Sequence, residues 1–197
     1  HADQQIKPGD GEAVRATIMF TDIEGFSTVS EKLKPQELAA MLNDYFAITS
    51  AVINQHGGVI TQFEGDAMLI TFNAVKPDPD HAINAVKTAL EIQKICAQTV
   101  FCHGEKLKTR CGINTGDIVI GAIGSESRLT FTVHGDNVNI AARLEQLNKQ
   151  FGSYVLASEN TVDACGKDNS LVWQARGDVT VRGRAAPTQI FSISDKT

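Results

Sequence analysis

Two short β-branched runs, Val59 to Phe63 and Ala67 to Phe72, stand on either side of Glu64-Gly65-Asp66. Apolar runs separated by a turn of this kind predict an antiparallel hairpin. Helical patterns lie before and after it. Alternating strands and helices interrupted by hairpins favour a mixed α+β sheet with helices packed on it over an all-parallel doubly wound fold.

The remaining elements follow from periodicity. Val14 to Thr21 reads as a buried strand that ends in Asp22-Ile23-Glu24-Gly25. Pro35 sits where the first turn of a helix tolerates proline, and Leu38, Met41, Leu42, Tyr45, Phe46 and Ile53 repeat at helical spacing. A second apolar stripe begins after Pro77 to His81. Leu107 to Asn114 and Ile118 to Ile123 read as two strands around a Thr115-Gly116-Asp117 turn, followed by a strand at Leu129 to Val133. Gly135 opens a helix with Val138, Ile140, Ala141, Leu144 and Leu147 on its apolar side. The rest reads mainly as strand, including Tyr154 to Ala157, Val179 to Val181 and Gln189 to Ile193. Residues 1–13 read as a linker or expression remnant, and 14–197 as one domain.

The formal net charge of -5 offers no basic field for nucleic acid. The four cysteines form no CxxC pair, so free thiols and a reducing, cytoplasmic setting are expected. No run reaches the ~18 apolar residues of a membrane span. Regulatory or membrane modules in a longer parent protein stay compatible with this. His56, His81, His103 and His134 are scattered and read as loop or cap histidines.

Asp22 directly follows a strand, and Asp66 closes the hairpin turn. Turn aspartates are common for backbone reasons alone. If the two strands are neighbours, however, both carboxylates emerge at one sheet edge. Such a pair suits magnesium, which takes few protein ligands and keeps positions for water and phosphate oxygens.

Five segments then agree in order and spacing with one family. Phe20 to Ser27 (FTDIEGFS) resembles the first metal motif of class III adenylate and guanylate cyclases, and Phe63 to Phe72 (FEGDAMLITF) resembles their second. Ile113 to Ser125, Thr132 to Glu145 and Val181 to Ile193 resemble the three motifs that follow. The resemblance implies a ferredoxin-like palm, a mainly antiparallel sheet and a head-to-tail homodimer with active sites at the interface. It implies that Asp22 and Asp66, with the Ile23 carbonyl, hold two Mg2+ or Mn2+ ions. Asn139 would orient the ribose, and Arg143 would stabilise charge on the phosphates. Arg182 matches a terminal phosphate-binding lysine, with Arg184 as competitor.

The purine-selecting positions depart from the family pattern. Gln62 stands where adenylate cyclases carry Lys and guanylate cyclases tend to carry Glu. Thr132 stands at the partner position, as in a subgroup of bacterial adenylate cyclases. A Gln amide both donates and accepts, so it can meet adenine or guanine. ATP is the expected substrate, with GTP as a side activity. Alternatives are a guanylate cyclase or a degenerate domain that binds nucleotide or dimerises to regulate a neighbour. A diguanylate cyclase is disfavoured because its Gly-Gly-Asp/Glu-Glu-Phe signature is absent.

Overall fold

The computed structural model describes residues 11–125, 127–168, 170–184 and 186–195. Residues 1–10 of the expected linker lie outside the described residues. Gly11 to Ala13 belong instead to the first strand, because the far half of a long neighbouring strand pairs with them, Gly11 opposite Gly121.

In chain order the elements are β1 (Gly11–Ile23), α1 (Phe26–Glu31), α2 (Pro35–Gln55), β2 (Val59–Glu64), β3 (Ala67–Phe72), α3 (His81–Gln98), β4 (Thr109–Ser125), β5 (Arg128–His134), α4 (Asp136–Phe151), β6 (Val155–Ser158), α5 (Glu159–Cys165), β7 (Leu171–Val179) and β8 (Thr188–Asp195). The sheet runs β2-β3-β1-β4-β6-β8-β7, with β5 on the outer half of β4. β4 and β6 are parallel and the other neighbours antiparallel. The β1-α2-β2-β3-α3-β4 portion has ferredoxin-like connectivity.

Side chains alternate across each strand, and the helices sort accordingly. Met19, Met68, Ile70, Phe72, Cys111 and Ile113 pack on the α2 and α3 side with Tyr45, Ile53, Val86 and Ala89. Ala16, Ile18, Leu69 and Ile118 pack on the other side against Val138 and Ala141 of α4. Asp22 falls on the alternation that includes Ala16 and Ile18, so it shares the α4 side. No helix among the described residues is long and apolar enough to cross a membrane. All four cysteines are free.

The predicted Thr115-Gly116-Asp117 turn is absent. One strand passes straight through it, with Thr115 fully buried opposite Thr17 and bonded to its hydroxyl at 2.8 Å. The glycine serves helix packing rather than a turn. A Cβ on Gly116 would lie 2.4 Å from the Asn137 side-chain nitrogen, and one on Gly112 would lie 2.2 Å from the Glu145 backbone nitrogen. Between them, buried Asn114 donates to the Asn137 carbonyl at 2.9 Å. Thus β4 offers α4 a flat seat. Gly112→Ala is expected to lower stability by about 2 kcal/mol, because helix backbone has little room to yield. A thermal melt should fall by roughly 4–8 °C; an unchanged melting temperature would contradict this packing argument.

The segment after β6 also differs from expectation. α5 interrupts it, with the Ser158 hydroxyl accepting the Thr161 N–H at its start. β7 occupies Leu171–Val179 rather than Val179 to Val181, and Val181 is buried beside Ile140 and Leu144 outside any strand.

Candidate active site

β1 and β3 are adjacent, with Thr21 opposite Met68. Continuing that register brings Asp66 level with Ile23. Gly65 takes φ +60° in the turn, and the Ile23 N–H donates to Asp66 Oδ2 at 2.8 Å. The juxtaposition of Asp22, Ile23 and Asp66 is therefore a product of strand pairing.

Arg110 of β4 lies in register opposite Asp22. Its Nε donates to Asp22 Oδ1 at 3.1 Å, with both side chains largely removed from solvent. Glu145 reaches the same carboxylate from α4. Burial, the Asp22 charge and a hydrogen bond with Asp22 together push the Glu145 carboxyl up to about 8. Burial first, and then the Asp22 charge, also raises Asp66, against the lowering effect of the Ile23 N–H. Three carboxylates thus face one guanidinium. A cleft of about 480 Å³ opens beside them, lined by Asp22 to Ser27, Asp66, Arg110 and Lys149.

These residues fit a hard divalent cation. The donors are carboxylate oxygens, which magnesium and manganese prefer. Burial, and then the neighbouring Asp22 charge, raise the proton affinities of Asp66 and Glu145, and a cation would offset that negative charge. Arg110 and Glu145 escaped the sequence reading. Arg110 is connected to Asp22 only through strand register. A weak signal existed for Glu145, which shares the sheet-facing stripe of α4 with Val138 and Ala141 at i, i+3 and i+7.

Asn139 and Arg143 stand one turn apart on the outer side of α4. With Thr180, Val181 and Arg182 they line a separate cleft of about 480 Å³. The Asn139, Arg143 and Arg182 side chains are exposed and have no partner among the described residues. Arg184 differs, since its guanidinium donates to Asn137 Oδ1 at 3.1 Å. Gln62 lines a third cleft of about 250 Å³ with Phe20, Leu69, Ala142 and Glu145. Glu145 therefore joins the Gln62 cleft to the acidic group. Thr132 of β5 pairs with Gly121 of β4 and lines none of the three clefts.

The structure gathers the candidates into two main sets within one chain. Asp22 faces α4 through Glu145, with Ile23 and Asp66 beside it at the ends of the paired strands, and Asn139, Arg143 and Arg182 lie around the outer side of α4. A helix body is roughly 10 Å across, and Lys149 at the acidic cleft is roughly 15 Å along the axis from Asn139. Arg110 meets the acidic group within the chain, while Arg143 lines the other cleft.

A model of the adenylate and guanylate cyclase catalytic domain matches residues 11–194. Adenylate cyclase 1 of Rhizobium meliloti (strain 1021) is 38% identical over 183 residues, which are 90% of this chain and 27% of that protein. The chain thus spans about a quarter of that relative's length. The crystal structure of the adenylyl cyclase CyaB from P. aeruginosa superposes with TM-score 0.80 at 28% identity, covering 95% of this chain and 97% of that one. A guanylyl cyclase crystal structure superposes with TM-score 0.81 at 31% identity, covering 94% and 95%.

Proposed function

This chain belongs to the adenylate and guanylate cyclase catalytic domain family, and from that premise we propose that it converts ATP to 3',5'-cyclic AMP and pyrophosphate at a site shared by two head-to-tail copies. The observation that carries this reading is the division of polar groups described above. The acidic set and the Asn139-Arg143-Arg182 set occupy different sides of α4. Each is half of what a nucleoside triphosphate needs, and a second copy supplies the other half. The sheet edge also favours such an approach, because Val119 and Ile123 of β4 are 45% and 63% exposed beside edge strand β5.

Two Mg2+ or Mn2+ ions, held by Asp22, Asp66 and the Ile23 carbonyl, would supply Lewis-acid stabilisation of charge on the phosphates. The chain's own groups do the rest by position and charge. Asn139 holds the ribose so that its 3'-oxygen lies in line with the α-phosphorus. The new O–P bond forms as the bond to the bridging α,β-oxygen breaks, and the hydroxyl proton leaves to solvent. Arg143 faces the charge that develops on the α-phosphoryl oxygens. Arg110 and Arg182 take up charge on the departing pyrophosphate. Arg182 is preferred to Arg184 because it shares the cleft with Arg143, whereas Arg184 is engaged by Asn137.

ATP over GTP rests on Thr132 and on the absence of an acidic residue at position 62. The exposed Gln62 amide has no hydrogen-bond partner among the described residues. It can rotate to serve either purine, which favours a GTP side activity. Side-by-side turnover of ATP and GTP tests this. Faster turnover of ATP is expected. Gln62→Lys should raise the ATP/GTP ratio by about tenfold, the worth of one well-made hydrogen bond. Strict GTP preference in the parent would reverse the substrate assignment. No turnover of either nucleotide would leave only a regulatory nucleotide-binding module.

A further inference from the structure

A second convergence of ligating side chains lies in the α3–β4 connection, on a part of the chain the cyclase reading does not use. Cys102–Gly104 form a 3-10 turn in which His103 takes φ 58°. A non-glycine residue rarely holds that backbone conformation unless its surroundings fix it. Three contacts do so here. Phe101 N–H donates to the Glu105 carbonyl at 2.8 Å, and Gly104 N–H donates to the Phe101 carbonyl at 3.1 Å. The His103 imidazole Nε2 also meets the Glu37 carboxylate at the start of α2.

As a result, ligand atoms of Glu37, Cys102 and His103 all lie within 4.8 Å of one another. The opposing segments are tied together. The Glu37 Oε1 atom accepts the Lys34 N–H at 3.0 Å, and Lys32 approaches Glu105 at 3.8 Å. Buried Phe101 packs near Tyr45 of α2, ring centres 6.3 Å apart. The Lys34 hydrogen bond orients the Glu37 carboxylate, as outer partners commonly orient metal ligands.

A thiol, an imidazole and a carboxylate are the donor set of zinc. Zn–S near 2.3 Å and Zn–N or Zn–O near 2.0–2.2 Å place tetrahedral ligands roughly 3.3–3.7 Å apart, inside the observed limit. Magnesium would not choose a thiolate. We propose that Glu37, Cys102 and His103 form a binding site for a thiophilic divalent cation, zinc by its ligand set, with water completing the tetrahedron. On binding, the Glu37–His103 contact opens around the ion and Cys102 releases its proton to solvent. The ion clamps the start of α2 to the loop that leads into β4, and hence to the strand that carries Arg110.

Titration of the metal-stripped chain with Co2+ alone, followed by Zn2+ competition, tests the site. One Co2+ per chain should give a near-ultraviolet thiolate charge-transfer band that Zn2+ abolishes. The band should vanish in Cys102→Ser and persist in Asp66→Asn, which alters the proposed catalytic acids. His103→Asn, which tolerates left-handed backbone, should weaken Zn2+ binding at least about tenfold, and so should Glu37→Gln. Absence of the band in the parent would overturn the proposal. So would a band that survives Cys102→Ser, or unchanged Zn2+ affinity in His103→Asn with folding verified by circular dichroism.

Discussion

Asp66→Ala should lower cyclase turnover by at least about 10³-fold while the chain stays folded, as should Asp22→Asn. Losing a ligand of catalytic cations removes several kcal/mol of transition-state stabilisation, and each 1.36 kcal/mol is tenfold in rate. The structural cost is small by comparison. Asp66 accepts the Ile23 backbone N–H, and losing that bond costs about 1 kcal/mol. Against that, removing Asp66 removes a carboxyl whose proton affinity is raised by burial and then by the Asp22 charge, and removes a smaller contribution to that of Glu145. Asparagine is the better replacement at Asp22, because alanine would strand the largely buried Arg110 guanidinium without its partner. Turnover with Mn2+ and ATP, read beside a thermal melt, checks both variants. Activity within tenfold of the parent in a folded Asp66→Ala protein would remove the two carboxylates from the mechanism. Added Mg2+ should also raise the parent's melting temperature, by mass action, and raise that of Asp66→Ala less.

The sequence made the hairpin legible because a short turn between β-branched runs is a local signal. Pro35 and the apolar stripes of α2, α3 and α4 were local too. Thr115-Gly116-Asp117 misled for the opposite reason. Glycine beside aspartate is the ordinary composition of a turn, yet Gly116 is there to admit Asn137 of a helix that begins twenty residues later. α5 is short and carries one buried residue, Thr161, so no periodic stripe announced it. The site divides in the same way. Asp22 and Asp66 stood at strand ends, where position alone raised the question of metal binding. Arg110 became part of the site only through the pairing of β1 with β4. Glu37 lies 65 positions before Cys102, so the isolated thiol and the scattered histidines gave no hint of a shared site.

Two inactive variants should restore each other. Asp66→Ala lacks one half of the proposed composite site, and Arg143→Ala lacks the other. Mixed in equal amounts, half of the dimers carry one of each chain if exchange is free. In such a heterodimer one interface site loses both groups, while the other takes Asp66 from the Arg143→Ala chain and Arg143 from the Asp66→Ala chain. One intact site in two, in half of the dimers, returns about a quarter of parental turnover. That is a gain of two orders of magnitude or more over either variant alone. The expectation follows from α4 itself, whose sheet-facing side reaches Asp22 through Glu145 while its outer side carries Asn139 and Arg143. A site closed within a single copy would show no rescue at any mixing ratio. Dilution gives an independent check, because a shared site loses specific activity once the copies separate. Persistent failure of the mixture to exceed its components, with exchange verified by a size or label-transfer measurement, would return both sets of residues to separate roles in the monomer.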